Sequence, residues 1–375
     1  MPVRPTLVLG RRARPRAHRR RSPPRLPSGS ADGERVSLLE LRDVEVEYRR
    51  AGQVPVRAVA GASLSVDSGQ VVGLVGETGC GKSTLARAAV GLQATTAGSV
   101  WFEGRKLVAL GRRARSRRDA RLQMVFQNPF SSLNPRRRVG DQIADAMGIL
   151  GLVAAAKRRQ RVAELLDQVG LPASAAQRFP HQYSGGQRQR IAIARALAAE
   201  PSVIVLDEPL SSLDASAQAQ VANLLKGLAR ELRVGLLLIS HDLAIVRHIA
   251  DVVAVMYLGL VVETAPTRRL WKAPMHPYTE ALIDAIPRAD GSGWLPEALA
   301  GEVPDPARPP AGCRFHPRCP YAFDRCRSES PPLIDVAAGR RVACWLHAPG
   351  GEERRPSAFA KRTPAAAGGD QVDGV

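Results

Sequence analysis

Nine residues constrain the fold of this chain more than any others: Gly76-Glu77-Thr78-Gly79-Cys80-Gly81-Lys82-Ser83-Thr84. The short apolar run Val71 to Val75 precedes them and reads as a buried strand; Leu85 to Val90 follows and reads as a helix. A G-x-x-x-x-G-K-[ST] string in that setting has to turn a strand into a helix through a tightly curled backbone. Gly76, Gly79 and Gly81 supply the freedom for the curl, so that successive N–H groups point inward at one anion. The helix opens with its unpaired N–H groups and positive dipole end facing the same place. Lys82 adds a point charge for β- and γ-phosphates, and the Ser83 hydroxyl is a ligand for Mg²⁺. The plainer reading, a glycine turn that only makes a corner, is weakened by strand and helix both being in place. An α/β fold with a triphosphate cradle is therefore expected.

The rest of the chain carries compatible signals. Val203 to Leu206 is an unbroken apolar run ending in Asp207-Glu208, as central parallel strands are. Two carboxylates at such a strand tip sit where α/β sheets bind ligands. Ser211-Ser212-Leu213-Asp214 follows, then a helix to about Leu232. Leu236 to Ile239 reads as another buried strand, ending at Ser240-His241-Asp242, and Val252 to Tyr257 as the last strand of this unit. Leu39 to Tyr48 and Ala60 to Val66 read as strands; so does Met124 to Gln127, before a loop marked by Pro129 and Pro135. Residues 139–178 have helical periodicity and read as a helical insertion. Ser184-Gly185-Gly186-Gln187 opens a helix; alone it is a simple cap.

The net charge of +19 is uneven. Nine arginines and no acid occupy residues 1–30, and residues 105–121 hold eight Lys/Arg against one Asp. Residues 1–34, which hold the first stretch, are too rich in Arg, Pro, Ser and Gly to build a core and are expected to be disordered. The second is expected to be an exposed helix or loop with a solvated charged face. Neither interleaves aromatics, so nucleic acid is a poor partner, and anionic lipid headgroups are a somewhat better incidental one. No apolar run of about 18 residues is present, so a chain that does not span a membrane and stays in the cytoplasm is expected.

Taken together and in this order, these elements resemble the ATP-binding subunit of an ABC transporter over roughly Leu39 to Leu346. The resemblance implies a P-loop ATPase core: a mixed sheet with helices on both faces, a helical subdomain at about 128–192 and a core spanning 35–272. It implies ATP and Mg²⁺ as cofactors. Tyr48 would stack on adenine. Gly76 through Thr84 would be the Walker A loop, and Gln127 the Q-loop glutamine touching Mg²⁺ and the attacking water. Ser184-Gly185-Gly186-Gln187 would be the signature, Asp207 the Walker B carboxylate on Mg²⁺ and Glu208 the general base. Asp214 belongs to the D-loop, and His241 would be the switch histidine on the γ-phosphate. In such a fold the signature serves the nucleotide of a second ATPase subunit, so a sandwich dimer is implied, paralogous or self.

A narrower resemblance rests on Gln127 to Arg136, Arg178 to Arg190 and His276-Pro277-Tyr278-Thr279, which are similar to the oligopeptide, dipeptide and nickel importer ATPases; Gln187 resembles the second of their two paralogues. Leu260 and the arginine-rich N-terminus depart from that pattern. The resemblance implies two transmembrane permease subunits, an extracytoplasmic solute-binding protein acting indirectly, and a peripheral place on the cytoplasmic face of the membrane. A soluble ABC protein acting on ribosomes or nucleic acid is the alternative.

Residues 273–347 read as an irregular extension, and 348–375 as a disordered tail. Cys313, Cys319, Cys326 and Cys344 lie in the extension, spaced C-x₅-C-x₆-C-x₁₇-C. These are not the knuckles of a zinc ribbon. Importer ATPases of the group carry a 4Fe–4S cluster on such cysteines, so the resemblance implies that centre; zinc and free thiols are the alternatives.

Overall fold

A computed structural model describes residues 37–348, apart from positions 50, 53, 112–114, 129–131 and 287–300. The basic N-terminal extension, the tail beyond residue 348 and the Pro129-Phe130-Ser131 segment of the Q-loop region lie outside the described residues.

Two sheets form the frame. Strands β1 (Ser37–Tyr48) and β2 (Val56–Asp67) pair antiparallel, and with β4 (Ala97–Phe102) and β5 (Arg105–Lys106) make a four-stranded sheet of order β2-β1-β4-β5. The second sheet has eight strands. Its central part is parallel: β6 (Leu122–Val125), β7 (Val203–Asp207), β8 (Gly235–Ile239), β3 (Val71–Val75) and β9 (Val252–Tyr257). With β10 (Leu260–Pro266), β11 (Ile334–Ala337) and β12 (Arg340–Val342), its order is β11-β12-β10-β9-β3-β8-β7-β6.

Every residue of β3, β7 and β8 is buried, because each strand feeds two cores. Val72, Leu74, Val205, Leu237 and Ile239 point to a core shared with β1, β2 and helix α1 (Lys82–Ala89). Their alternates Val71, Val75, Ile204, Leu206, Leu236 and Leu238 point to the helices of the other face. The two-residue period of a strand makes that division, and it explains why these runs are apolar without a break.

The helical insertion follows its sequence periodicity. In α2 (Val139–Ile149), Val139, Ile143 and Met147 are buried; in α3 (Ala155–Gln168), so are Val162, Leu165 and Leu166. These side chains join the same core as α4 (Gly185–Leu197) and α5 (Ala215–Glu231).

Two expectations need correction. Strand β9 is not the last of its unit. Leu258 (φ +42°) and Gly259 (φ +84°) make a two-residue turn with both central residues left-handed. Such a turn suits the twist of a hairpin, and the chain returns antiparallel as β10 (Leu260–Pro266). The extension then adds β11 (Ile334–Ala337) and β12 (Arg340–Val342), with β12 pairing on β10. The basic stretch 105–121, likewise, is neither a plain helix nor a plain loop: its described residues include β5 and a 3₁₀ turn, Asp119–Arg121, and although most of its charged side chains are exposed, not all are simply solvated. Arg115 turns inward to the carbonyl oxygen of Val90, and Arg121 pairs with Glu103 at 3.0 Å.

Candidate functional site

The loop between β3 and α1 is curled as the glycines require. Gly76, Gly79 and Gly81 have φ of +152°, +82° and +107°. A Cβ on Gly76 would stand 2.1 Å from the carbonyl oxygen of Met256 in β9, and one on Gly81 would stand 2.1 Å from that of Ala58 in β2. Around Gly79 nothing lies within 4 Å. The loop is therefore pressed onto strand backbone at both ends and open at its crown. Beneath it, the Gly259 N–H donates to the Cys80 carbonyl at 2.8 Å, so the β9–β10 turn braces the floor.

Lys82 is buried under the loop. Its Nζ donates to the carbonyl oxygens of Gly76 (2.7 Å) and Glu77 (2.9 Å). Helix α1 starts at Gly81 with no side-chain cap, which leaves its first-turn N–H groups facing the loop. Ser83 Oγ donates to Asp207 Oδ1 at 2.9 Å. Asp207 ends β7 and is 3 % exposed; burial pushes its carboxyl above the usual range, against the Ser83 hydrogen bond.

Glu208 follows in the left-handed region at φ +45°, a conformation a glutamate adopts only at a cost. Its N–H is held by the Ile239 carbonyl at 3.0 Å. The bend brings its carboxylate between two groups from neighbouring strand ends: Gln127 Nε2 donates to Oε2 at 3.0 Å, and His241 Nδ1 stands 3.4 Å from the same oxygen. Tyr48, at the end of β1, is 37 % exposed, and its hydroxyl is 3.3 Å from Thr84 Oγ1.

Ser184 and Gln187 close a capping box at the start of α4: Ser184 Oγ accepts from the Gln187 N–H (3.3 Å), and Gln187 Oε1 accepts from the Ser184 N–H (3.1 Å). Gly185 and Gly186 pack close to Leu213 and Ala217. Asp214 caps α5 through the Ala217 N–H at 2.9 Å. Both segments thus have a local structural role beside any role toward a ligand.

Sequence reasoning missed how the extension reaches the loop. The Glu77 N–H donates to the Tyr278 hydroxyl at 2.9 Å, and Arg318 forks onto the Glu77 carboxylate at 2.8 and 3.0 Å. A partner separated by 241 positions leaves no local pattern to read.

None of the four cysteines is in a disulfide. Burial, with the neighbouring thiols adding to it, pushes Cys313 up to about 11 and Cys319 up to about 12, and raises Cys344 as well. Among the described residues, however, no three or more His, Cys, Asp or Glu are grouped so that they could hold a metal ion. The expected iron–sulfur centre gains no support from this arrangement.

A buried carboxylate beside a hydroxyl fits a divalent cation, and a curled loop with an uncapped helix start fits a phosphate chain. Those are the two demands of Mg²⁺-bound nucleoside triphosphate, and meeting them at the end of parallel strands defines the P-loop nucleotide-binding class. Comparison with known proteins narrows the class. The ABC transporter family model matches residues 59–211, and the model for the C-terminal region of oligopeptide/dipeptide transporters matches 262–326. A probable peptide ABC transporter ATP-binding protein of Sinorhizobium fredii, y4tS, is 47 % identical over 326 residues, covering 86 % of this chain and 92 % of the relative. The di/tripeptide transport ATP-binding protein DppF of Pseudomonas aeruginosa is 45 % identical, covering 82 % and 97 %. A solved dimer of the ATP-binding cassette MJ0796, in a post-hydrolysis state bound to ADP and Pi, superposes with a TM-score of 0.55 at 27 % identity, covering 62 % of this chain and 99 % of that one. The chain belongs to the ABC transporter ATP-binding proteins, and it is an ATPase of that family.

Proposed function

We propose that this chain is the ATP-hydrolysing subunit of an importer for oligopeptides or dipeptides, and that it drives separate permease subunits. The relatives named for peptide transport and the match at 262–326 support the substrate class. Among the described residues no helix is long and apolar enough to cross a membrane. We therefore assign it a peripheral place on the cytoplasmic face, with membrane passage left to two permease subunits and solute capture to a separate binding protein.

The observation that carries the mechanism is the carboxylate of Glu208, bent out of β7 and held between Gln127 and His241. Bound Mg–ATP supplies the γ-phosphoryl group and a cation that spreads its charge. We assign Lys82 and the loop N–H groups to the phosphates, and Ser83, Asp207 and Gln127 to the cation's coordination sphere. Tyr48 is assigned to the adenine face. Glu208 Oε2 takes the proton of the attacking water; Gln127 orients that water, and His241 faces the γ-phosphate. Removing one preorganised group of this kind costs about 3–4 kcal/mol of barrier.

Ser184, Gly185, Gly186, Gln187 and Asp214 serve the nucleotide of a second ATPase subunit, and its signature serves this one. The dimeric state of the MJ0796 cassette supports that arrangement. For the four cysteines we keep the 4Fe–4S staple as the reading the family resemblance favours. Purified chain carrying iron and acid-labile sulfide supports it, and a colourless zinc-loaded chain refutes it.

Glu208→Gln tests the assignment of the base. It retains Mg–ATP binding and slows hydrolysis by at least about a hundredfold, accumulating a closed dimer on size exclusion. Normal turnover in that variant refutes the assignment.

A further inference from the structure

The match at 262–326 marks the extension as a separate family feature, yet two of the extension's side chains grip the phosphate loop of the core. We propose that Arg318 is a positioning residue of the nucleotide site: it holds Glu77, and through it the loop, in the curled conformation that phosphates need. The proposal rests on reading residues 76–84 as the nucleotide site.

The Arg318 side chain is only 3 % exposed. Both of its terminal nitrogens reach the Glu77 carboxylate, at 2.8 and 3.0 Å, a planar two-point contact that fixes direction as well as distance. Its guanidinium carbon also lies 5.9 and 6.0 Å from the ring centres of Tyr257 and Phe315. Those rings pack with Tyr278, whose hydroxyl accepts the Glu77 N–H. One residue of the loop is thereby held at both its backbone and its side chain from outside the core. Meanwhile the Glu77 carbonyl accepts from Lys82. Fixing residue 77 therefore also fixes the loop carbonyls to which Lys82 donates. A loop ordered in advance does not spend binding energy on ordering itself. Arg318 touches no reacting atom on this geometry, so its effect falls on affinity.

The test measures Mg–ATP binding and steady-state hydrolysis on the full chain. Arg318→Met, which keeps the bulk against the rings, is expected to weaken binding about tenfold, equivalent to about 1.4 kcal/mol. The loss appears in KM, with kcat at saturating ATP within about twofold. Arg318→Lys keeps charge without the fork and falls between. Glu77→Ala approaches the same pair from the loop side and leaves the extension intact. Because the two side chains act as one unit, the double variant is expected to be no weaker than the weaker single. Unchanged affinity in Glu77→Ala, additive losses in the double variant, or a fall in kcat with KM fixed would each overturn the proposal. If Arg318→Met fails to fold, Glu77→Ala alone decides. Failure of the unaltered chain to bind Mg–ATP sinks the reading of the site instead.

Discussion

The three loop glycines form a graded series that isolates what the phosphate loop requires of its backbone. All three lie at positive φ, so alanine at any of them meets the left-handed penalty of about 1–2 kcal/mol. At Gly79 nothing else opposes the methyl group, since no atom lies within 4 Å. At Gly76 and Gly81 the methyl carbon would sit 2.1 Å from the carbonyls of Met256 and Ala58. Those carbonyls belong to β9 and β2 and cannot swing aside as a side-chain tip would, so overpacking adds about 1–3 kcal/mol. Gly79→Ala is therefore expected to cost about 1–2 kcal/mol, and Gly76→Ala and Gly81→Ala about 2–5 kcal/mol. The assay is paired: urea unfolding without nucleotide, and Mg–ATP titration of the fraction that remains folded. Gly79→Ala should lose the least stability and stay folded with affinity down about tenfold, whereas the other two should lose clearly more stability as well. If Gly79→Ala matched Gly76→Ala in both measurements, contact with the two strands would not be what shapes the loop.

Two further outcomes concern the buried polar network of the extension. Glu263 and Arg340 are 1 % and 5 % exposed at the side chain and lie 3.3 Å apart. Arg340→Met strands the carboxylate and should cost about 3–5 kcal/mol in urea unfolding, part of it recovered by adding Glu263→Gln. His276 caps the helix Pro277–Asp284 by accepting the Tyr278 N–H at 3.0 Å, which requires a neutral ring nitrogen. Burial, helped by His347, holds it down at about 3 from the ordinary 6.5. The folded state thus binds fewer protons between those values, so stability is full above about pH 6.5 and falls below it by about 1.4 kcal/mol per pH unit. Burial raises Glu263 and acts in the opposite sense, so the measured quantity is the difference between the unaltered chain and His276→Asn, in thermal unfolding from pH 7.5 to 5.0. A difference that does not change with pH would refute the assignment.

What the sequence made legible was whatever it wrote in consecutive residues. Val203 to Asp207 reads as a central strand because both its faces are buried. The loop at 76–84 announces its own geometry, and the apolar positions of α2 and α3 fall where a period of 3.6 puts them. Glu208, Gln127 and His241 could be named from three separate strand ends, but the left-handed bend that brings the first to the other two has no sequence signal, because glutamate carries no preference for it. The β9–β10 hairpin is not legible in the sequence because its turn pairs Gly259 with a leucine, in place of the Asn-Gly or Asp-Gly that marks such turns. The stretch 105–121 reads as solvated because a run of charges usually is, and only the fold brings the Val90 carbonyl within reach of Arg115.

The extension shows why such partners cannot be read one segment at a time. Without β12, strand β10 would present open backbone at the end of the large sheet, the kind of edge that invites unwanted pairing. Without Arg340, the carboxylate of Glu263 in β10 would be buried beside no cation, although the N–H groups of Met275 and His276 still reach it. Without Tyr278 and Arg318, the phosphate loop would lose its hold on residue 77. Two of these dependencies run from the extension to β10, which the β9–β10 turn joins to the floor of the loop, and the third runs directly to residue 77. A core cut off after β10 would therefore expose a sheet edge, strand a buried charge and loosen its own nucleotide loop together. The functional unit of this chain is the core with its extension in place.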